Sequence, residues 1–514
     1  MPAVERTTDV LIVGAGPTGL MLANWLAKLG VDAILVDGKS GPTRESRALG
    51  VQARTMEIYD QLGVADQVLD EAYIAQGVAP GYQDKAFGFV RFANIGSGVS
   101  PYPHLYILEQ SRNEKLLYSN LQRLSGAVLW QHRLQDLDQE TADDGGSRVT
   151  VTLQGPDGEV TIRSRYCVGT DGPSSVVRKL RGIDFEGRTN EHTFFVADAA
   201  GVEGLVPTSI NLRFGRKFFL LTFPMGSDGH NRLLGVVPHG SDDPADDVAE
   251  SSIRPMLQRV FGVTYASTSW FSTYRLHHRV AAQFTDGPVL LAGDAGHVHS
   301  PVGAQGMNTG LQDSHNLAFK LGAVLKGEAP PSYLQRYEAE RRPVALRLTN
   351  TTDRLFAAVT SNNPVLRAVR RFLPRIAAPV LLRIIPRLSG SSRMFEYLAQ
   401  VRIHYWMDES ARERAQGQRD RIVGRRLPWT GQNFESLKAA AWMAHVYGEV
   451  AEDRLRSLRD ELDVDVRQFP AAPANGLTGG KVLLVRPDGF VAAAAYPDQA
   501  AAEFAAALQR HIGN

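Results

Sequence analysis

Apolar positions along the chain follow two periods. Short apolar runs, Asp9–Val13, Val31–Val36, Tyr166–Thr170 and Pro288–Ala292, each stop at glycine or aspartate. Such runs predict buried parallel strands. Behind the first, Leu20, Leu22, Ala23, Leu26, Ala27 and Leu29 recur at helical spacing, and Gly30 offers a stop. Behind the last, Leu311, Leu317, Ala318, Leu321, Ala323 and Leu325 mark a long helix starting at Met307. Further helices are predicted around Val51, Met56, Ile58 and Leu62, over Asn113–Leu124 and over Tyr333–Phe356; arginine-rich helices cut by prolines are expected in Val365–Leu388.

Elsewhere the period shortens to two. Val149–Leu153 and Val160–Ile162 flank Gly155–Gly158, a hairpin signal. His192–Ala199, Ile210–Phe214, Phe218–Phe223 and Leu233–Val237 read as strands, and Ala72–Tyr106 is aromatic without helical period. A third unit opens near Arg421, with a helix over Ala451–Leu462, a hairpin turned at Pro487–Gly489 and a last helix over Gln499–Ile512. The fold class predicted is α/β, with a discontinuous Rossmann-like nucleotide-binding domain (1–72 with 105–182 and 279–395). A sheet-rich domain (73–104 with 183–278) is inserted in it, and a C-terminal unit (396–514) follows.

Composition removes several functions. The 514 residues carry a net charge of +1, which gives no electrostatic case for nucleic acid. With one cysteine, Cys167, the chain excludes internal disulfides, thiolate zinc clusters and dithiol chemistry; its strand-like neighbours suggest inert packing. No metal site is expected. The polar N-terminus runs straight into a strand, and no apolar segment approaches membrane-spanning length, so the expected location is cytoplasmic without stable membrane association.

The chemistry begins at Gly14-Ala-Gly16-Pro17-Thr18-Gly19, a G-x-G-x-x-G in its required setting between strand and helix, with Asp37 ending the next strand. Gly14 serves the turn, Gly16 the close approach of a pyrophosphate and Gly19 helix–sheet packing, while Asp37 can bond ribose hydroxyls. A carboxylate there would repel a 2′-phosphate, so FAD or NAD fits this pocket and NADP does not. The stretch Leu290–Gly310 repeats strand, loop and helix: Gly296, Gly303 and Gly306 let a flat, partly anionic guest come close, and the helix start favours its negative charge. Asp171-Gly172, with Ser175 and Arg178, gives a third strand–acid–glycine–helix pattern.

These three motifs, the last continuing through Asp294, His297, Pro301, Gln305, Gly306, Met307 and Asn308, together resemble the single-component FAD-dependent aromatic hydroxylases typified by para-hydroxybenzoate hydroxylase and phenol hydroxylase. The resemblance runs from about residue 8 to 350. It implies that Asp37 binds ribose, Arg47 and Gln110 the FAD chain, Asp171 FAD and the nicotinamide cofactor, Asp294 the ribityl hydroxyls, and Met307 and Asn308 the flavin through backbone N–H groups. Pro301 and Val302 would border the oxygen pocket. Gly303-Ala304 departs from the paired glycines of many members. The C-terminal unit looks like the thioredoxin-like domain of phenol hydroxylase and of polyketide hydroxylases; without Cys-x-x-Cys it suits packing or oligomerisation.

The implied activity is a monooxygenase that uses NAD(P)H and O2, through a flavin C4a-hydroperoxide, to hydroxylate a phenolic or polycyclic aromatic substrate. Baeyer–Villiger oxidation or epoxidation on the same scaffold, an FAD-binding redox sensor and a plain NAD-dependent dehydrogenase are the alternatives. His297 and His299 are read as satisfied structural histidines. NADH versus NADPH, the substrate-ionising base, and monomer versus homodimer stay open.

Overall fold

The computed structural model describes residues 4–43, 48–92, 95–141, 147–215, 218–226, 229–237, 248–299, 305–360, 391–405 and 422–512. Five parallel strands lie side by side in the order Val289–Leu291, Gly158–Gly169, Val4–Val13, Ala33–Asp37 and Val128–Trp130. Their carboxyl ends reach one edge, so the loops after Val13, Asp37, Gly169 and Leu291 emerge together. Ligands of open parallel sheets bind at such an edge. Strand Gly158–Gly169 is long enough to serve two neighbours on one side: its first half pairs with the hairpin arm Ser147–Gly155, and Cys167–Gly169 pair with Val289–Leu291. Cys167 is fully buried, and burial pushes its thiol pKa well up, which suits packing and not nucleophilic work.

Helices Pro17–Lys28 and Gly306–Leu325 pack against each other through one apolar core with the strands, in which Leu20, Leu22, Leu26, Leu311, Leu317 and Leu321 are all fully buried. Val51 belongs to a strand, Gly50–Val51, and not to the helix expected around it, which is Ala53–Leu62. Gly50–Val51 and Tyr73–Ile74 each pair with Tyr106–Ile107, and this pairing outweighs a helical period only one residue long at that end. Segments expected as helices over Val365–Leu388 lie outside the described residues.

A second sheet takes strands from two stretches of chain: Gly77–Tyr82, Lys85–Ala86 and Val90–Arg91 from the first, and Phe185–Ala200, Ile210–Phe214, Phe219–Pro224, Asn231–Val236 and Ser267–Ala281 from the second. Helix Glu250–Met256, absent from the sequence reading, covers one face through Ile253 and Met256. The long strand Ser267–Ala281 also pairs with His297–Val298, so this sheet takes in part of the glycine-rich loop itself. A third sheet, ordered Asp465–Phe469, Met443–Tyr447, Lys481–Val485, Val491–Ala495, is flanked by helices Glu452–Glu461 and Pro497–Ile512 in the thioredoxin-like manner. No described helix is long and apolar enough to cross a membrane.

Candidate active site

The first glycine loop is fixed by contacts no larger residue would permit. Gly14 has φ +106°, and a Cβ there would stand 2.5 Å from the Thr170 carbonyl oxygen; one on Gly19 would stand 1.9 Å from the Gly14 carbonyl oxygen. Gly16 differs: nothing lies within 4 Å of its Cβ position. Two of the glycines therefore serve the protein's own packing, and the middle one faces open space. The helix behind it starts with Pro17 and has no side-chain cap, leaving first-turn N–H groups for a ligand. Asp37 Oδ2 accepts from the Ala15 N–H at 2.6 Å and Oδ1 from the Lys39 N–H at 2.8 Å, which places the acid against the loop. Thr170 Oγ1 donates to the carbonyls of Val13 and Gly14, tying the middle motif to the first.

The third motif folds back onto the first through Thr18. A Cβ on Gly293 or Gly310 would meet Thr18 Oγ1 at 2.4 or 2.5 Å, so both glycines exist to admit that side chain. The helix Gly306–Leu325 begins without a side-chain cap, as an anion-accepting terminus should. Asp294 is exposed on the loop before it. Met307 is half-buried, with its sulfur 3.5 Å from Asn113 Nδ2. The Asn308 side chain has a role the sequence did not reveal: Oδ1 accepts from the Gln52 N–H and the Thr55 hydroxyl, at 2.9 and 2.7 Å, and Nδ2 donates to the Gly50 carbonyl at 2.8 Å.

Asp313, one helical turn further, was also missed. Its carboxylate accepts from the Gly293 N–H at 3.1 Å, from Arg341 Nε at 2.6 Å, and sits 2.6 Å from His297 Nε2. Burial raises its pKa, but Arg341 and His297 outweigh that and hold the carboxyl below the ordinary range. Arg341 also donates to the Tyr405 hydroxyl and the Thr309 carbonyl. His297 is thus held at Nε2 by Asp313, while its buried Nδ1 meets no partner among the described residues, so the expected satisfied histidine is satisfied at one nitrogen only; His299 is half-buried beside Gly306. The available signal was a run of polar residues, Gln312 to Asn316, set between the apolar positions Leu311 and Leu317.

Asp171 acts on its own helix, accepting from the Ser175 hydroxyl and the Val176 and Val177 N–H groups; burial raises its pKa against those bonds. Ser175 caps the helix at the Arg178 N–H, and the Arg178 guanidinium donates to the Ala295 carbonyl at 2.7 Å, so the middle motif also holds the third. Gln110 brackets Ala48: its N–H donates to the Ala48 carbonyl and its Oε1 accepts the Ala48 N–H at 3.3 Å. Arg47, Pro301, Val302, Gly303 and Ala304 lie outside the described residues.

Three motifs far apart in sequence thus share one sheet edge, with an open glycine, two uncapped helix starts and an acid beside the first loop. That donor set fits a dinucleotide with a flat, partly anionic head group. The FAD binding domain family matches residues 7–352, and the C-terminal family of aromatic-ring hydroxylases matches residues 432–514. The chain belongs to the FAD-dependent aromatic-ring hydroxylases.

Among its relatives, 12-dehydrotetracycline 5-monooxygenase/anhydrotetracycline 6-monooxygenase of Streptomyces rimosus is 31% identical over 98% of this chain and 99% of its own length. Rifampicin monooxygenase of Streptomyces venezuelae is 35% identical over 72% of this chain and 75% of its own. Among solved structures, the OxyS anhydrotetracycline hydroxylase from Streptomyces rimosus superposes with a TM-score of 0.76 at 29% identity, covering 99% of both chains. As a member of this family, the chain is an FAD-dependent monooxygenase that hydroxylates aromatic compounds, with FAD as cofactor and NAD(P)H as co-substrate.

Proposed function

We propose that this hydroxylase acts on a multi-ring phenolic substrate lying between the glycine-rich loop and the second sheet. The observation that carries the reading is the pairing of His297–Val298 with Arg279–Val280, which makes the loop an edge strand of that sheet. A ring on the sheet's inner face would sit beside the helix start at Gly306. That face carries Phe194, Phe219, Leu234 and Val236, with Phe214, Leu221 and Tyr274 packed on them. Apolar walls of this kind suit a flat polycyclic ligand and keep water from a reactive centre. The relatives named for tetracycline and rifampicin chemistry support the size class.

FAD, when bound, supplies hydride acceptance and oxygen activation. The chain's own residues hold it. We assign the pyrophosphate to Gly14, Gly16, Pro17, Thr18 and Gly19, and ribose to Asp37 through whatever capacity its two backbone bonds leave. Arg47 and Gln110 go to the FAD chain, the Asp171 region to the nicotinamide groove, and Asp294 to the ribityl hydroxyls. The N–H groups of Gly306, Met307 and Asn308 stabilise negative charge on the reduced ring, and Pro301 and Val302 border the oxygen pocket. The domain division 1–72 with 105–182 and 279–395, 73–104 with 183–278, and 396–514 belongs to the same reading, as do O2 as co-substrate, a cytoplasmic location and a monomer or homodimer.

Purified protein is expected to be yellow, to consume NAD(P)H faster when a polycyclic phenol is added, and to place label from 18O-enriched O2 on the ring. Label in a lactone or epoxide instead would favour the alternative oxygen insertions. Protein that cannot be reconstituted with FAD would refute the reading.

A further inference from the structure

Among the places where the C-terminal unit meets the nucleotide-binding domain is one tight turn, Arg486–Gly489, whose Arg486 and Asp488 are buried among polar and charged side chains. Arg486 pairs with Glu340 at 2.6 and 3.0 Å and with Asp488 at 2.7 Å. On the helix that starts at Gly306, Asn316 donates to Glu340 at 2.8 Å and to Asp488 at 3.4 Å, and Lys320 donates to Glu340 at 2.8 Å. Gln61 donates to the Pro487 carbonyl at 2.7 Å while its Oε1 stands 2.9 Å from His315 Nε2 on that same helix. Arg54 donates to the Asp488 carbonyl at 2.7 Å and lies over the Phe490 ring. Arg486, Asp488, Glu340, Lys320, Asn316, Gln61 and Arg54 are all buried.

Adhesion alone does not call for such a nest. Buried ion pairs are costly to desolvate, and apolar residues of similar volume hold two surfaces together as well or better. What directional bonds add is one permitted geometry. The turn reaches the helix directly at Asn316 and indirectly at His315, through Gln61, and at Lys320, through Glu340; it grips helix Ala53–Leu62 at Arg54 and Gln61. Those two helices are joined a second time by Asn308, whose side chain binds Gln52 and Thr55 in the first turn that faces the cofactor. The lower grip therefore fixes the relative position of the two elements that define the upper one.

We infer that the Arg486–Gly489 turn is a positioning device for the flavin-facing helix start, so that the C-terminal unit sets how firmly FAD is held. The inference rests on the flavin assignment to Gly306–Asn308 proposed above. Two variants test it: Gln61→Leu, which cuts the link from Pro487 to His315, and the double variant Arg486→Met/Glu340→Gln, which removes one charge of each sign and leaves Lys320 and Asp488 as opposite buried charges, so that the nest stays neutral in sum. Each is expected to raise the dissociation constant of FAD about tenfold or more in fluorescence titration and to shift the bound-flavin absorbance. In apoprotein, backbone hydrogen exchange of residues 306–312 is expected to quicken about tenfold, while the sheet strands 10–13 and 166–169 keep wild-type protection. FAD affinity within twofold of wild type with unchanged exchange at 306–312 would overturn the inference, and so would exchange quickened equally throughout the chain in the double variant. If Gln61→Leu does not fold, the double variant decides on the same readouts. Failure of the wild-type protein to take up FAD would instead sink the flavin assignment itself.

Discussion

Two glycines of one motif behave oppositely because one faces the protein and the other faces space. A methyl on Gly19 would overlap the Gly14 carbonyl at 1.9 Å, so Gly19→Ala must push the first helix off the sheet. It is expected to cost ~2 kcal/mol or more in thermal or denaturant melts. Gly16→Ala meets nothing within 4 Å and should melt as the wild type does. With the pyrophosphate placed at this loop, as proposed, the added methyl would obstruct it, so FAD affinity should fall about tenfold, ~1.4 kcal/mol, in fluorescence titration. Wild-type FAD affinity in Gly16→Ala would remove the pyrophosphate from this loop. At this scale the motif glycines and Asp37 were legible by their spacing along one strand–loop–helix–strand unit, although Gly14 packs on Thr170 from far along the chain. Asn308, Asp313 and Arg178 were legible only as residue types, because their partners stand on segments far away in sequence: Gln52 and Thr55, Arg341, and Ala295.

Elements were readable where one face decides them. The hairpin of Ser147–Gly155 with Gly158–Gly169 and the long helix from Gly306 follow from alternation and helical period. Helix Glu250–Met256 contains Pro255 and only a short apolar stripe, so the sheet it covers supplies most of its reason to form. The C-terminal sheet carries a pH signature. His445 on strand Met443–Tyr447 is fully buried, and burial, with Arg467 nearby, lowers its pKa to about 3. The unfolded imidazole, near 6.5, binds its proton first as pH falls. The unfolded state therefore holds more protons between about pH 6.5 and about 3. Stability is complete above pH 6.5 and declines below it, by up to ~1 kcal/mol per pH unit from this group. The melting temperature of the protein is expected to drop over pH 6.5 to 4.5, and His445→Phe to flatten that slope. An equal slope in the variant would assign the effect elsewhere.

Across the whole molecule, the C-terminal unit and the first domain share buried charge. Glu57 takes Arg426 at 3.0 Å and Glu340 takes Arg486 at 2.6 Å. A chain ending at residue 405 would leave both carboxylates without these partners, and breaking a buried pair costs about 3–5 kcal/mol. Since domains are stable by only ~5–15 kcal/mol, this fragment is expected to be insoluble or molten by near-ultraviolet dichroism. A soluble fragment with a cooperative melt would show that the interface is dispensable.

By itself the sequence determined what is local: the strand–loop–helix motifs, the acid after the second strand, the lone cysteine unfit for redox work, and the division into sheet-rich and nucleotide-binding stretches. These depend on periodicity and on φ or steric demands within a few residues. The tertiary structure alone decided that three motif loops leave one sheet edge, that His297–Val298 joins the second sheet, and that the C-terminal turn reaches the helix starting at Gly306. Such facts depend on strand order and on hydrogen bonds between different elements of the chain, and a linear pattern of polar and apolar residues carries no record of which polar group will meet which.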